Sequence, residues 1–371
     1  MADAERSGTA DTWSGGWHVP LTILSIAYPF ARVRPDTAGG AEQVLGQLDA
    51  ALVRAGHRSI MIASEGSRTS GQLLAIPHAA GTLGPHSINE AHEQCRRAIC
   101  RVLQECHVDV VHMHGVDFHA YLPPPGPPVL VTLHLPLQFY PAAALEPNRP
   151  DTWLHCVSAI QQAGLTPCDR LLRPIENGVL VHEVAPRHAR RGFALMLSRI
   201  CPEKGVHIAI RAAKRANASL LIAGEVFPHA EHQRYFTQEV LPHIDNRRRF
   251  IGPIGPARKR RLLAAARCLL VPSLVPETSS LVAREALTVG TPVIAFARGA
   301  LAEIIEDGET GFLVDDEEEL AQAIHRADAI DPKVCRESAR ERFPLERMID
   351  RYFTTYAMLA GASPRSEMDA A

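Results

Sequence analysis

Apolar runs of strand length alternate with segments of helical period along the chain, and the alternation restarts half-way. VPLTILSIAY (19–28), SIMIAS (59–64), VDVVHMH (108–114) and VLVTLH (129–134) read as buried strands. After the first comes GAEQVLGQLDAALVRAGH, with Val44, Leu45, Leu48, Leu52 and Val53 on one stripe and Gly56 ending it. A further helix is expected over 88–107, and YLPPPGPP is a rigid connector. Past NGV (177–179) come strands ALMLS (194–198), SLLIAG (219–224), RFIG (249–252), CLLVPS (268–273) and PVIAF (292–296). Helices are expected over 203–216, 229–243, 256–266, from about 280, and over about 344–360. Strands separated by helices require parallel pairing with crossovers. The chain, 371 residues long, is therefore expected to be α/β with two Rossmann-like doubly wound domains in series. The expected division is a disordered leader (1–18), a first domain (19–175), a second domain (176–343), a terminal helix (344–361) and a flexible tail (362–371).

Charge and composition exclude several classes. A formal net charge of -2 offers no global attraction to nucleic acid or an anionic surface. The basic runs at 247–249 and 258–261 lack interleaved aromatics and read as solvated faces. No apolar run reaches the roughly 18–20 residues that span a bilayer, and the polar start shows no signal-peptide core. None of the eight cysteines forms a CxxC pair, which suits a reducing cytoplasm.

Ligands of open α/β sheets bind beyond the carboxyl ends of the strands, and polar residues gather there. In VPETSSLVAREALTVG (275–290), Glu277 precedes a helix start near Ser279 or Ser280, and Glu285 lies inside the helix. Free N–H groups at a helix start suit a phosphate, while a carboxylate meets a vicinal diol with two acceptor oxygens. The bland alternative makes Glu277 a cap and Glu285 an ordinary helix residue. SRICPEKG (198–205) places Arg199 and Lys204 where they could neutralise a diphosphate; a surface turn is the alternative. Gly39 and Gly40 permit close backbone approach, but match neither a dinucleotide fingerprint nor a P-loop. His112, His114 and His134 raise a zinc reading, yet no carboxylate or cysteine stands at supporting spacing, and hydrogen-bonded strand-end histidines are the plainer reading. His229 and His232 read as helix-surface residues.

In one order along 19–360, these pieces resemble the retaining GT-B glycosyltransferases of family 4. The matching segments are GGAE (39–42), VVHMHG (110–115), TLHLP (132–136), CVSA (156–159), IENGV (175–179), SRICPEKG, LLIAGE (220–225), FIGPI (250–254), VPSLVPETSSLVAREAL (271–287) and GETGFLV (308–314). The resemblance implies two Rossmann-like domains facing a central cleft, and a terminal helix crossing back to the first domain. It implies that Arg199 and Lys204 hold a donor diphosphate, Glu277 contacts the sugar and Glu285 the ribose. Ser279 and the backbone of Ser280, Leu281 and Val282 would complete the donor site. Gly39 and Gly40 would face the phosphates, and His134 and His114 the sugar and acceptor. The family commonly has Phe-Gly after the first glutamate; here Thr278, Ser279 and Ser280 follow, and serine is a good cap. Glu225 stands where glycine is common and would alter the base or sugar pocket.

The function expected on that resemblance is retaining transfer of a hexosyl group from a UDP- or GDP-sugar to a hydroxyl acceptor. It needs no metal and no cofactor beyond the donor. A sugar-nucleotide-binding protein without transfer activity and a nucleotide-sugar epimerase are the alternatives. A peripheral membrane contact through the mixed-charge helix at 88–107 is left open.

Overall fold

The computed structural model describes residues 20–35, 37, 39–78, 84–181, 191–227 and 229–361. The expected leader and tail lie outside the described residues. The first sheet holds β1 (Thr22–Ile26), β2 (Arg58–Ser64), β3 (Gln72–Ile76), β4 (Val110–Met113), β5 (Val129–Leu133) and β6 (Thr152–Cys156). The second holds β7 (Phe193–Leu197), β8 (Ser219–Ala223), β9 (Arg248–Phe250), β10 (Cys268–Val271), β11 (Val293–Phe296) and β12 (Gly311–Val314). Helices α1 (Gly40–Arg54), α2 (Pro85–Glu105), α3 (Ala142–Leu145) and α4 (Ala159–Gln162) belong to the first domain. The second carries α5 (Val206–Arg215), α6 (Ala230–Tyr235), α7 (Pro256–Ala265), α8 (Leu281–Thr288), α9 (Leu301–Ile304), α10 (Glu317–Arg326) and α11 (Pro332–Arg342). Helix α12 (Leu345–Leu359) follows.

Both sheets are wholly parallel. Their orders are β3-β2-β1-β4-β5-β6 and β12-β11-β10-β7-β8-β9, the same doubly wound arrangement twice. Each order reverses beside its first strand, between β1 and β4 and between β7 and β10. Central strands such as β1 and β5 are buried on both faces, which is why they read as near-continuous apolar runs. Strands β3, β6 and β12 have no counterpart among the strands read from the sequence. All three are edge strands, short and mixed in composition (QLLAI, TWLHC, GFLV), so they lack the long apolar signal of a central strand. The helix expected over 229–243 is broken into α6, a π-helical turn at Phe236–Val240 and a 3-10 turn at Leu241–His243, where Pro242 interrupts the ladder.

One face of the first sheet packs Ile99, Val102, Val111 and Leu133 together. The other face joins Leu21, Ile23, Val44, Leu48 and Leu130 to Met348, Ile349, Tyr352, Phe353 and Tyr356 of α12. Helix α12 therefore completes the first domain after the chain has traversed the second. The crossing is held by Val179 N donating to Phe343 O at 2.9 Å and Leu345 N donating to Val179 O at 3.0 Å. No described helix is long and apolar enough to cross a membrane. In α2, Arg96 pairs with Glu93 and Arg101 with Glu105.

Candidate active site

The loops leaving β1 and β5 meet those leaving β7 and β10: Gly40 lies against Leu281, Thr278 bonds His134, and the Arg199 charge reaches Glu42 and Tyr28. Lys204 ends a 3-10 turn, Pro202–Lys204, that follows β7. The turn closes through Gly205, whose φ is +65° and on which any side chain would run into the carbonyl of Pro272. That close approach delivers Lys204 Nζ to Glu277 Oε1, 2.6 Å away. Glu277 is fixed through its backbone: its carbonyl accepts from Ala300 N at 2.7 Å, and Gly299 (φ +63°) leaves no room for a side chain there. Burial pushes the Glu277 carboxyl up, but Lys204, Ser273 and Arg199 outweigh it and hold the group below the usual carboxylate range. Glu277 is thus an anion bound by Lys204, not a helix cap.

The Arg199 guanidinium makes no hydrogen bond or ion pair among the described residues; its Cζ lies 5.7 Å from the centre of the Phe227 ring. Glu42, in the first turn of α1 and 8% exposed, faces it across the cleft. Burial raises the Glu42 carboxyl, and the Arg199 charge partly offsets this. Tyr28 is pushed up to about 12 by burial, Asp117 and Glu42. Neither Glu42 nor Tyr28 was singled out in the sequence; the glutamate of GGAE was the available signal.

Helix α8 begins at Leu281, and Ser280 before it adopts φ +44° and ψ 71° with no side-chain cap. The capping expected of this serine is absent because a capping side chain needs extended backbone at that position. Ala283 is the first residue whose N–H finds an acceptor, Ser280 O at 3.1 Å, which leaves the N–H groups of Ser280, Leu281 and Val282 open at the positive end of the helix. A buried frame holds this start. Asn177 Nδ2 donates to Ser279 Oγ at 2.9 Å, and Arg284 donates to Ser279 O at 3.2 Å and Asn177 O at 2.7 Å. Arg284 is 1% exposed and lies 4.4 Å from the Phe343 ring. Burial lowers its guanidinium to about 10, with Glu176 opposing. Gly40 lies against Leu281, and Thr278 Oγ1 donates to His134 O at 2.7 Å, so the first domain meets the loop before α8 directly.

Glu285 lies one turn further along α8 and binds Lys259 Nζ at 2.6 Å. The reading of 258–261 as a solvated face is corrected for Lys259, as that of 247–249 is for Arg248, which is buried against Asp245. Glu225 exposes its side chain, while its carbonyl accepts from Ile200 N at 2.9 Å.

The histidines form a chain. His134 Nε2 lies 2.9 Å from His114 Nδ1, and His114 Nε2 lies 3.1 Å from His112 Nδ1. His112 Nε2 and His155 Nε2 each lie 2.7 Å from Thr132 Oγ1. His155 Nδ1 lies 3.0 Å from the Cys156 carbonyl, and Tyr356 OH lies 2.7 Å from His112 Nδ1. His114 spends its two nitrogens on opposite neighbours, so the three expected histidines run in a line and do not converge on a metal ion. The network assigns the protons. The Cys156 carbonyl can only accept, so His155 donates through Nδ1 and accepts the Thr132 hydroxyl at Nε2. Thr132 then accepts from His112 Nε2–H, which leaves the single lone pair of His112 Nδ1 to the Tyr356 hydroxyl, the nearer of its two neighbours. Burial depresses all four, and neighbouring histidines add to it at His112, His114 and His134; His134 falls to about 3, and His155 to about 4 against the opposing hydrogen bond to the Cys156 carbonyl.

His232 corrects a further expectation: it is buried, while its neighbour His229 is exposed.

Two doubly wound sheets facing one cleft, with a terminal helix returning to the first domain, define a GT-B fold. The fold is shared with the glycosyltransferase of avilamycin A biosynthesis (TM-score 0.68, 23% identity, 93% of this chain and all of that one). It is shared also with sucrose-phosphate synthase from Thermosynechococcus elongatus (0.75, 23%, 92% and all), and with Anabaena HepE in complex with UDP and glucose (0.70, 18%, 91% and all). The chain belongs to the glycosyl transferases group 1 family, which matches residues 182–342, with Glycosyltransferase Family 4 matching 38–171. Among curated relatives, a D-inositol 3-phosphate glycosyltransferase of a Nocardioides species is 42% identical over 80 residues, 21% of this chain and 17% of that protein. One from Acidothermus cellulolyticus is 33% identical over 159 residues, 39% and 35%. The match thus spans about a third or less of these relatives' lengths.

Proposed function

We propose that the protein transfers a hexosyl group from a UDP- or GDP-sugar to a hydroxyl acceptor, with retention of anomeric configuration. The observation that carries this is the Arg199 guanidinium, without an ion pair among the described residues, beside the Lys204–Glu277 pair and the open N–H groups of Ser280, Leu281 and Val282. Fixed positive charge converges there on one small region, with a carboxylate anchored next to it. A diphosphate satisfies those donors, and the carboxylate meets sugar hydroxyls. Gly39 and Gly40 cover the phosphates from the first domain, and Glu285 receives the ribose by sharing it with Lys259.

The acceptor oxygen attacks C1 from the face the diphosphate leaves. The bond from C1 to the phosphate oxygen breaks, and the acceptor proton passes to that oxygen. Arg199, Lys204 and the helix N–H groups neutralise the charge that develops, which is the largest usual catalytic contribution. No metal ion at the diphosphate enters the step. His134, its own carbonyl held by the Thr278 hydroxyl, offers Nδ1 for a hydrogen bond that orients a hydroxyl of the acceptor or sugar. With its basicity so reduced, it positions the hydroxyl and does not deprotonate it. The relatives' names span several acceptors, so the acceptor is set no more finely than a glycan, glycolipid or small-molecule hydroxyl. The site is expected to act in the cytoplasm.

Calorimetric titration with UDP, GDP, ADP and TDP and their sugars tests the proposal. One nucleotide family should bind clearly best, and NMR of the transfer product should show the donor's anomeric configuration. Absence of binding by all of them overturns the reading. Binding without transfer to any hydroxyl acceptor would leave a sugar-nucleotide-binding protein.

A further inference from the structure

The turn that carries Lys204 holds a second group of polar side chains. Cys201 precedes it in extended backbone, Glu203 lies within it, and His232 projects from α6. A sulfur, a carboxylate oxygen and an imidazole nitrogen from these residues all lie within 4.8 Å of one another. Cys201 is fully buried and His232 is 9% exposed. Two of the three carry an unsatisfied atom: Glu203 Oε2 and His232 Nδ1 are both buried without a hydrogen-bond partner. Buried polar atoms are rarely left so, and here two share one spot with a thiol.

We propose that Cys201, Glu203 and His232 bind a borderline-soft divalent cation of the Zn2+ kind. Thiolate, imidazole and carboxylate form a recognised zinc donor set, and three protein ligands leave the fourth position to water. Ligand atoms around tetrahedral zinc stand about 3.3–3.8 Å apart, so atoms already within 4.8 Å of one another need only a small contraction to close the site. The backbone is already fixed for it, since the Glu203 carbonyl accepts from Leu274 N at 2.7 Å. Charge balances too: binding displaces the Cys201 proton to solvent, and the thiolate and carboxylate together offset the dication. The ion would tie the Pro202–Lys204 turn, which carries Lys204, to α6. This role does not depend on which reaction the cleft performs.

Titration of metal-stripped protein with Co2+ tests the site by its own spectrum. One equivalent should produce a thiolate-to-metal charge-transfer band, and Zn2+ should displace it. Cys201→Ser should abolish the band, while His232→Gln and Glu203→Gln should each weaken binding at least tenfold with unchanged circular dichroism. Cys168→Ser, at the exposed thiol, should leave the band intact and serves as the control for surface binding. No band at one equivalent, a band that survives Cys201→Ser, or equal affinity in the His232 and Glu203 variants overturns the proposal. In that event the three residues form a hydrogen-bonded cluster only. Should Cys201→Ser fail to fold, the His232 and Glu203 variants decide the question.

Discussion

The hydroxyl of Thr278 donates to the carbonyl oxygen of His134 at 2.7 Å, linking the donor loop of the second domain to the strand end of the first. It lies one residue from Glu277, so the contact that joins the domains also borders the residue assigned to the sugar. Thr278→Val keeps the shape and removes the bond. A neutral hydrogen bond contributes about 0.5–1.5 kcal/mol, so donor affinity measured by calorimetry should weaken by about two- to tenfold. An unchanged dissociation constant would detach this contact from donor binding.

Lys204 and Glu277 depend on each other. Lys204→Ala should weaken nucleoside diphosphate binding by about 1.5–3 kcal/mol, the range for a charged hydrogen bond. Glu277→Ala should cut transfer strongly while circular dichroism stays native. Each single change leaves its partner's charge unpaired in a largely buried place, so the double variant should lose less stability than the sum of the singles. Strict additivity in urea unfolding would show that the 2.6 Å pair is energetically silent.

The buried histidines make stability depend on pH. Folded His134 and His155 titrate near 3 and 4, and His112 and His114 well below their usual value. The unfolded chain binds protons at these positions below about 6.5, so unfolding takes up protons in that range. Stability should therefore be full above about pH 6.5 and fall as pH drops towards 4, by up to about 1.4 kcal/mol per histidine per pH unit. Urea midpoints from pH 8 to 4 check this; a flat profile through that window would contradict the neutral chain.

Ser280 holds a left-handed backbone at φ +44°, a conformation that costs a non-glycine residue on the order of 1 kcal/mol. Ser280→Gly should raise the thermal midpoint slightly and leave nucleotide affinity unchanged, since the N–H groups stay in place. Loss of affinity would mean that the serine hydroxyl itself touches the ligand.

Much of this arrangement was legible in the chain. Central strands such as β1, β5 and β10 announce themselves because both faces are buried, and Glu277, Lys204 and Arg199 follow strands where ligands of such sheets bind. The edge strands β3, β6 and β12 are silent because they are four or five residues long and mixed in composition, and only β3 among them is half-exposed. The frame around α8 was equally hidden. Arg284 looks like any helix arginine until the fold brings Asn177 and Glu176, more than a hundred positions earlier, against it. Glu42 carries no signal of its own within GGAE, since its burial near Arg199 is a product of domain pairing. His232 was misjudged for the same reason: what covers it comes from the turn after β7.

The return of α12 has a consequence for the order of events during synthesis. The apolar face formed by Leu21, Ile23, Val44, Leu48 and Leu130 is covered by residues 348–356, which leave the ribosome only after the whole second domain. At bacterial-type elongation of about 5–20 residues per second, that face waits uncovered for roughly ten seconds or longer. The first domain is thus born incomplete, and the nascent chain needs shelter until its last helix arrives. A truncation before Leu345 would leave the protein permanently in that unfinished state.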